Sequence, residues 1–335
     1  MAPSAHYQIL LAERPEGTPT RDTFHFDRVS TASPSSGEVL LKTLYLSVDP
    51  YMRGRMNEGK SYVPPFELHE PISGGGIGEV VESQSSSLKE GDIVIGNLNW
   101  EEYPVVSADA VRKIDPSLAP VSTHLGILGM PGLTAYFGIN DICRPKEGET
   151  VVVSGAAGAV GSAAGQIAKI YGARVVGIAG TDEKVRYLKE ELHFDEVIQY
   201  NTVEDMGAAL QEACPDGVDA YFDNVGGPIS EALYPLLNKY ARIAQCGAIS
   251  TYNSTGEDVG PRVQQYLVKA SALMQGFIVG DFSSRFQEGS EKLAEWLQQG
   301  SITYRENVVE GFQQTPDAFI GLFKGENLGK QIVKI

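Results

Sequence analysis

The chain has 335 residues, 42% of them hydrophobic and 21% charged, which is enough for two domains and a substantial buried core. Its formal charge of −16 repels nucleic acid, and no stretch approaches the roughly 18 consecutive apolar residues of a membrane span. Cys143, Cys214 and Cys246 are too scattered for a disulfide framework and fit a reducing compartment. His6, Gln8 and Glu13 interrupt the opening stretch, so no signal peptide is read and the cytoplasm is the expected location.

Residues 1–120 read mostly as β-structure. Strand composition marks Glu38–Val48, Gly78–Val81, Asp92–Ile95 and Ala110–Ile114, with turn clusters at Ser33–Gly37 and Ser85–Ser87. Many short strands with few helical stretches suggest a small irregular barrel. Gly74–Gly78 would let two backbones approach closely or bend a strand sharply.

From about residue 125 the pattern alternates. Helix signals fall at Thr134–Asn140, Gly161–Tyr171 and Asp182–Glu191. Strand signals fall at Val151–Val153, Arg174–Ile178, Glu196–Gln199, Asp219–Phe222 and Arg242–Ala244. Strands alternating with helices imply a parallel sheet with crossover helices. Leu273–Val279 is a further strand candidate, and Ser290–Gln299 an amphipathic helix around Leu293 and Trp296. Short strands return at Tyr304–Glu310 and Lys330–Ile335. The expected division is therefore 1–125, 126–299 and 300–335, the last rejoining the first.

Val151–Ile170 carries the sharpest signal. A β-branched run leads into Gly155, Gly158 and Gly161, and a small-residue helix follows. Strand, glycine turn and helix in that order put backbone N–H groups and a positive dipole end where a phosphate can sit; the structural alternative is a plain tight turn. The second strand ends in Ala179-Gly180-Thr181 without the carboxylate that would hold a ribose 2′-hydroxyl, and Lys184 follows. That combination suits a 2′-phosphate, against the alternative of a solvated lysine in a first helical turn.

Several blocks carry a family resemblance: Val48–Arg53, Gly129–Tyr136, Gly155–Gly161, Phe222–Gly227, Cys246–Asn253 and Glu326–Lys330. Together they resemble the zinc-free medium-chain dehydrogenase/reductase superfamily, within it the prostaglandin/leukotriene B4 reductase and alkenal double-bond reductase family. The resemblance covers roughly residues 48 to 330. It implies an α/β protein, a GroES-like β-barrel catalytic domain plus a Rossmann doubly wound parallel sheet. It also implies NADPH as hydride donor, a small-molecule α,β-unsaturated carbonyl substrate reduced at its C=C bond, and a homodimer.

On this resemblance Gly158, Ala159, Val160 and Gly161 contact the pyrophosphate. Gly180, Thr181, Lys184 and Tyr200 hold the 2′-phosphate end. Asn224 lies near the ribose or nicotinamide, and Cys246, Gly247, Ala248, Ile249 and Ser250 line the loop beneath it. Phe277 and Val279 flank the nicotinamide, and Asn327 reaches over it. Asn224 could instead cap its turn, and Phe277 and Val279 alone would be core residues.

Enone reduction places negative charge on the carbonyl oxygen and needs a proton at the α-carbon; a tyrosine hydroxyl serves both needs. Tyr252, after the Cys246–Ser250 block, is the expected donor. Tyr51 is a second candidate, as substrate wall or carbonyl partner, or else a barrel-edge aromatic. Arg53 reads as ion-paired with a local acid. No metal is expected, since the cysteines lie at least 32 residues apart and His69-Glu70 reads as a loop pair. The alternatives are an NADPH quinone oxidoreductase and, in another class, a non-catalytic NADPH-binding scaffold protein.

Overall fold

A computed structural model describes residues 2–117 and 119–335. The chain forms two compact units. One holds residues up to Leu125, Glu306–Asn327 and Gln331–Ile335; the other holds Gly126–Arg305 and Leu328–Lys330.

The first unit begins with β1 (Ala5–Leu11) and β2 (Phe24–Ser30), an antiparallel pair the sequence pattern did not reveal. Then come β3 (Glu38–Ser47), the short helix α1 (Met52–Arg55), β4 (Ser73–Ser83), β5 (Ile93–Asn99), β6 (Val105–Ser107) and β7 (Val111–Lys113). Gly74–Gly78 lies within β4. A side chain on Gly76 would meet Leu98 at 2.9 Å and one on Gly78 would meet Leu41 at 3.0 Å, so the glycines serve close approach. The pairing of β3 with β4 also slips twice, between Leu40 and Leu41 and between Thr43 and Tyr45.

The second unit opens with α2 (Met130–Phe137), continued by a π-helical turn at Gly138–Cys143. The order is then β8 (Thr150–Val153), α3 (Ala159–Ile170), β9 (Arg174–Ala179), α4 (Asp182–Arg186), β10 (Glu196–Gln199) and α5 (Met206–Ala213). It continues with β11 (Val218–Asp223), α6 (Gly227–Leu233), β12 (Leu237–Gln245), α7 (Gln264–Ala270), β13 (Leu273–Gly276) and α8 (Phe286–Gln298). Two expectations need correction. The strand expected over Leu273–Val279 stops at Gly276, because the chain turns helical at Val279–Arg285. The helix expected from Ser290 starts a turn earlier, at Phe286.

The chain returns through β14 (Glu306–Glu310), α9 (Thr315–Lys324) and β15 (Lys330–Lys334). Strands of the first unit follow the order β14-β15-β3-β4-β5-β7, with β6 on β3. Helix α9, also unforeseen, buries Phe319 completely against Phe24, Trp100 and Phe323 at ring distances of 5.2–6.2 Å.

In the second unit six strands run parallel in the order β10-β9-β8-β11-β12-β13. Chain order reverses between β8 and β11, the doubly wound arrangement whose ligands lie at the carboxyl ends of those two strands. The side chains of β8 explain the layering. Val151 and Val153 pack with Ala163, Ala164 and Ile167 of α3 on one face, while Val152 packs with Leu233 of α6 on the other. A strand buried on both faces needs an unbroken apolar run, which is how it reads in the sequence.

Each unit carries one of the two tryptophans, Trp100 and Trp296. Phe319→Ala is expected to cost about 3–5 kcal/mol. Urea unfolding followed by Trp100 fluorescence in a Trp296→Phe background measures it, and an unmoved midpoint would contradict the packing role.

Candidate active site

After β8 the chain turns at Gly155, whose φ of +58° favours glycine. Gly158 N–H donates to the Gly155 carbonyl at 3.1 Å, and Gly158, extended and without a capping side chain, opens α3. The first-turn N–H groups of α3 have no acceptor within the helix; Ala159 lies at the bridge between Gly158 and Gly329, which leaves Val160 and Gly161 as the amides suited to an anion. A side chain on Gly161 would overlap the Gly155 carbonyl oxygen and lie 2.8 Å from Ala156 Cα. The third glycine therefore lets the helix close onto its own entry turn. Gly329 N–H donates to the Ala157 carbonyl at 2.8 Å, bracing the turn from outside.

A second group lies at the end of β9. The Tyr200 ring covers Gly180, where any side chain would meet its hydroxyl at 2.8 Å. Tyr200 N–H donates to the Ala179 carbonyl at 3.0 Å, and Asn201 Nδ2 donates to the Gly180 carbonyl at 2.8 Å. Thr181 caps α4 by accepting from Lys184 N–H at 3.4 Å. The Lys184 ammonium, half-buried, is held below its ordinary 10.5 by burial, opposed by Glu183. Gly180, Thr181, Lys184 and Tyr200 are thus brought together, with Asp182 and Glu183 in the first turn of α4. Asn201 is a member that no pattern marked.

The third group joins the loops after β11 and β12. Asn224 Nδ2 donates to the Ser154 carbonyl at 2.7 Å, tying β8 to β11. Cys246 and Gly247 N–H donate to the Asp223 carbonyl at 2.8 and 3.1 Å. Ile249 and Ser250 N–H donate to the Asn224 and Val225 carbonyls at 3.3 and 3.1 Å, and Ser250 Oγ adds a 2.6 Å bond to Val225.

Tyr252 folds back over Gly247, and its hydroxyl accepts Ala248 N–H at 3.3 Å, leaving its own proton to donate. Its phenol is raised above the ordinary 10.0 chiefly by burial; the Ala248 bond opposes this and the neighbouring Cys246 and Asp223 add to it. The Cys246 thiol is pushed up to about 12 by burial and Asp223. Phe277 is buried edge-on against Phe222 and Phe282, and Val279 packs partly buried on the same core. Ser154 and Asp223, both fully buried, organise this region and were not singled out by sequence reasoning.

Tyr51 and Asn327 belong to the first unit. Tyr51 sits at the start of α1, its phenol raised by burial and Asp49 and opposed by Arg55. Asn327 follows α9 and is partly buried. Arg53 is buried and donates to the Pro15 and Gly17 carbonyls and to Asn57 Oδ1, so it braces a loop.

Comparison with known proteins shows the family. Residues 7–114 match a family model described as the N-terminal domain of oxidoreductase, and residues 159–296 one described as zinc-binding dehydrogenase. The Bacillus subtilis (strain 168) protein YfmJ is 64% identical over 334 residues, covering 99% of this chain and 98% of that one. The NADPH-dependent curcumin reductase of Escherichia coli (strain K12) is 43% identical, covering 97% and 96%. Prostaglandin reductase 1 of Rattus norvegicus is 44% identical, covering 95% and 96%. The crystal structure of CurA in complex with NADPH from Vibrio vulnificus superposes with a TM-score of 0.92 at 43% identity, covering 98% of each chain. The chain belongs to the medium-chain dehydrogenase/reductase superfamily.

Although one matched model of this superfamily is described by zinc, the residues here do not suit that ion. Among the described residues no three His, Cys, Asp or Glu side chains are grouped to hold a metal. Cys143 and Cys214 are buried in separate cores. In the glycine turn before α3 the obstacle at Gly161 is backbone, whereas at Gly158 the nearest atom lies 3.3 Å away at ordinary φ. Gly161→Ala is expected to lose a net of about 1–2 kcal/mol after the helix-propensity gain, and Gly158→Ala less than about 1. Thermal denaturation of both variants checks this; equal losses would refute the packing argument.

Proposed function

We propose that this chain is an NADPH-dependent reductase of the C=C bond of α,β-unsaturated aldehydes and ketones. It is an oxidoreductase of the curcumin, alkenal and prostaglandin reductase group, and its cofactor is NADPH. The residues present fit that cofactor. The first-turn amides of α3 suit the pyrophosphate, and Lys184 and Tyr200 beside Gly180 suit the 2′-phosphate. The Asn224–Gly227 turn and the Cys246–Ser250 loop suit the ribose and nicotinamide, with Phe277 and Val279 as apolar flanks.

When bound, NADPH supplies the hydride that adds to the β-carbon. The observation that carries the reading is Tyr252, a partly buried phenol anchored by one accepted bond, with its own O–H to give. Such a donor stabilises the negative charge that develops on the carbonyl oxygen and relays a proton toward the α-carbon. Curcumin, the named substrate of one relative, is itself a conjugated enone.

Steady-state NADPH oxidation with hex-2-enal, a quinone and a simple alcohol tests the assignment: alkenal reduction is expected, and its absence beside rapid quinone reduction would overturn the reading. Tyr252→Phe is expected to lower kcat with the alkenal about 10- to 100-fold. The protonated phenol is the active form and burial raises its pKa, so any activity loss assignable to Tyr252 is expected at a higher pH than an exposed phenol would show. An unaltered kcat in the variant would remove Tyr252 from the mechanism.

Lys184→Ala is expected to raise KM for NADPH about tenfold or more while leaving KM for NADH nearly unchanged. Equal effects on the two cofactors would contradict a 2′-phosphate role.

A further inference from the structure

Asp223 ends β11 with 0% exposure, yet its carboxylate is among the most heavily bonded groups described in the second unit. Oδ1 accepts from Ser154 Oγ, Tyr221 OH, Val225 N–H and Gly226 N–H, each at 2.9 Å. Oδ2 accepts from Ser230 Oγ at 2.6 Å. The side chain thereby pins the turn Asn224–Gly227 to both β8 and α6. Its backbone carbonyl takes Cys246 and Gly247 N–H, and the carbonyls of the pinned turn take Ile249 and Ser250. The loop that ends at Tyr252 thus hangs on a turn whose shape the buried carboxylate sets.

We propose that Asp223 is the positioning residue for the catalytic loop pair. It acts through the backbone of Asn224–Gly227 and Cys246–Ser250 on the placement of Tyr252 and on the surface offered to the nicotinamide. The inference rests on the reading of Tyr252 given under Proposed function. A carboxylate has two acceptor oxygens and no donor. An amide at this position either faces its NH2 to the Val225 and Gly226 amides, donor against donor, or faces it to Ser230, whose hydroxyl must then accept and turn its proton to Tyr221 OH at 2.9 Å; either way the turn loses the charge-assisted bonds that hold it.

Asp223→Asn tests this in the full-length protein by two measurements. Without ligand, backbone hydrogen exchange is expected to quicken about tenfold or more in peptides covering 224–227 and 246–252, while peptides covering 181–200 keep their rates. With substrates, kcat is expected to fall about 100-fold, whereas KM for NADPH moves within about threefold because the phosphate contacts lie elsewhere. Unchanged exchange and kcat would overturn the proposal. So would uniform loosening of the whole unit, which would make Asp223 a general stability residue.

If Asp223→Asn does not accumulate as folded protein, Tyr221→Phe and Ser230→Ala each remove one donor and keep the carboxylate. The same local quickening and a smaller fall in kcat are then expected, and their absence counts against the proposal. The wild type separates the two ideas. Wild-type protein inactive on hex-2-enal defeats the functional reading, while an active wild type with an unaffected Asp223→Asn defeats this inference alone.

Discussion

The second unit depends on one demand: strands β8 and β11 are neighbours, but the chain leaves them toward opposite faces of the sheet. Helix α3 packs on the Val151 and Val153 side, and α6 on the Val152 side. Backbone groups at those strand ends therefore run out of ladder partners while still inside the protein, where an unpaired amide costs about 1–3 kcal/mol. Two buried side chains meet the demand. Ser154 Oγ accepts from the amides of Asn224 and Val225 at 2.9 and 3.2 Å, and Asp223 accepts from those of Val225 and Gly226. A buried carboxylate alone would be too costly, and the hydroxyls of Ser154, Tyr221 and Ser230 complete its shell. The turn at the switch point is thus built from satisfied polar groups.

How much of this was legible in the sequence follows from how each part is encoded. Strand β8 is buried on both faces, so Val151–Val153 stands out as a continuous β-branched run. The glycines after it mark places where backbone atoms leave no room for a Cβ. Local signals of that kind survive without the fold. Asp223 could not be read the same way, because an acid at the end of a strand looks solvated, and its five donors come from positions 154, 221, 225, 226 and 230. Helix α9 was hidden for a related reason: its burial is decided by β1–β2 and Trp100, far off in the chain. The strand that stopped at Gly276 rather than Val279 illustrates the reverse error. Phe277 and Val279 are apolar because they join the aromatic core beside Phe222 and Phe282, not because they extend the ladder.

Charge poses a second question, since a chain of net charge −16 must receive a polyanionic cofactor. At physiological ionic strength the Debye length is about 8 Å, so charges spread over the surface are largely screened at the nucleotide turn. On the function proposed above, the local set that suits such a cofactor is the start of a 12-residue helix with its positive dipole end and the Lys184 ammonium, its pKa depressed by partial burial. That depression means Lys184 stands partly stripped of water before any ligand arrives.

The two ends of the candidate site are built from different materials, and this bears on what the fold can specify. Contacts suited to the cofactor come from strand ends, helix starts and glycine turns, all fixed by the sheet and its cores. Beyond Tyr252 the chain runs through residues 254–262, exposed and without helix or strand. Loops of that kind tolerate change without disturbing the scaffold, and it is on loops that substrate choice is usually written. On the function proposed above, a fold of this type constrains the hydride source closely and its acceptor only by a shared requirement, a carbonyl oxygen able to take a hydrogen bond from the Tyr252 phenol. Relatives described by curcumin and by prostaglandin at closely similar identity are the pattern such a division of labour produces.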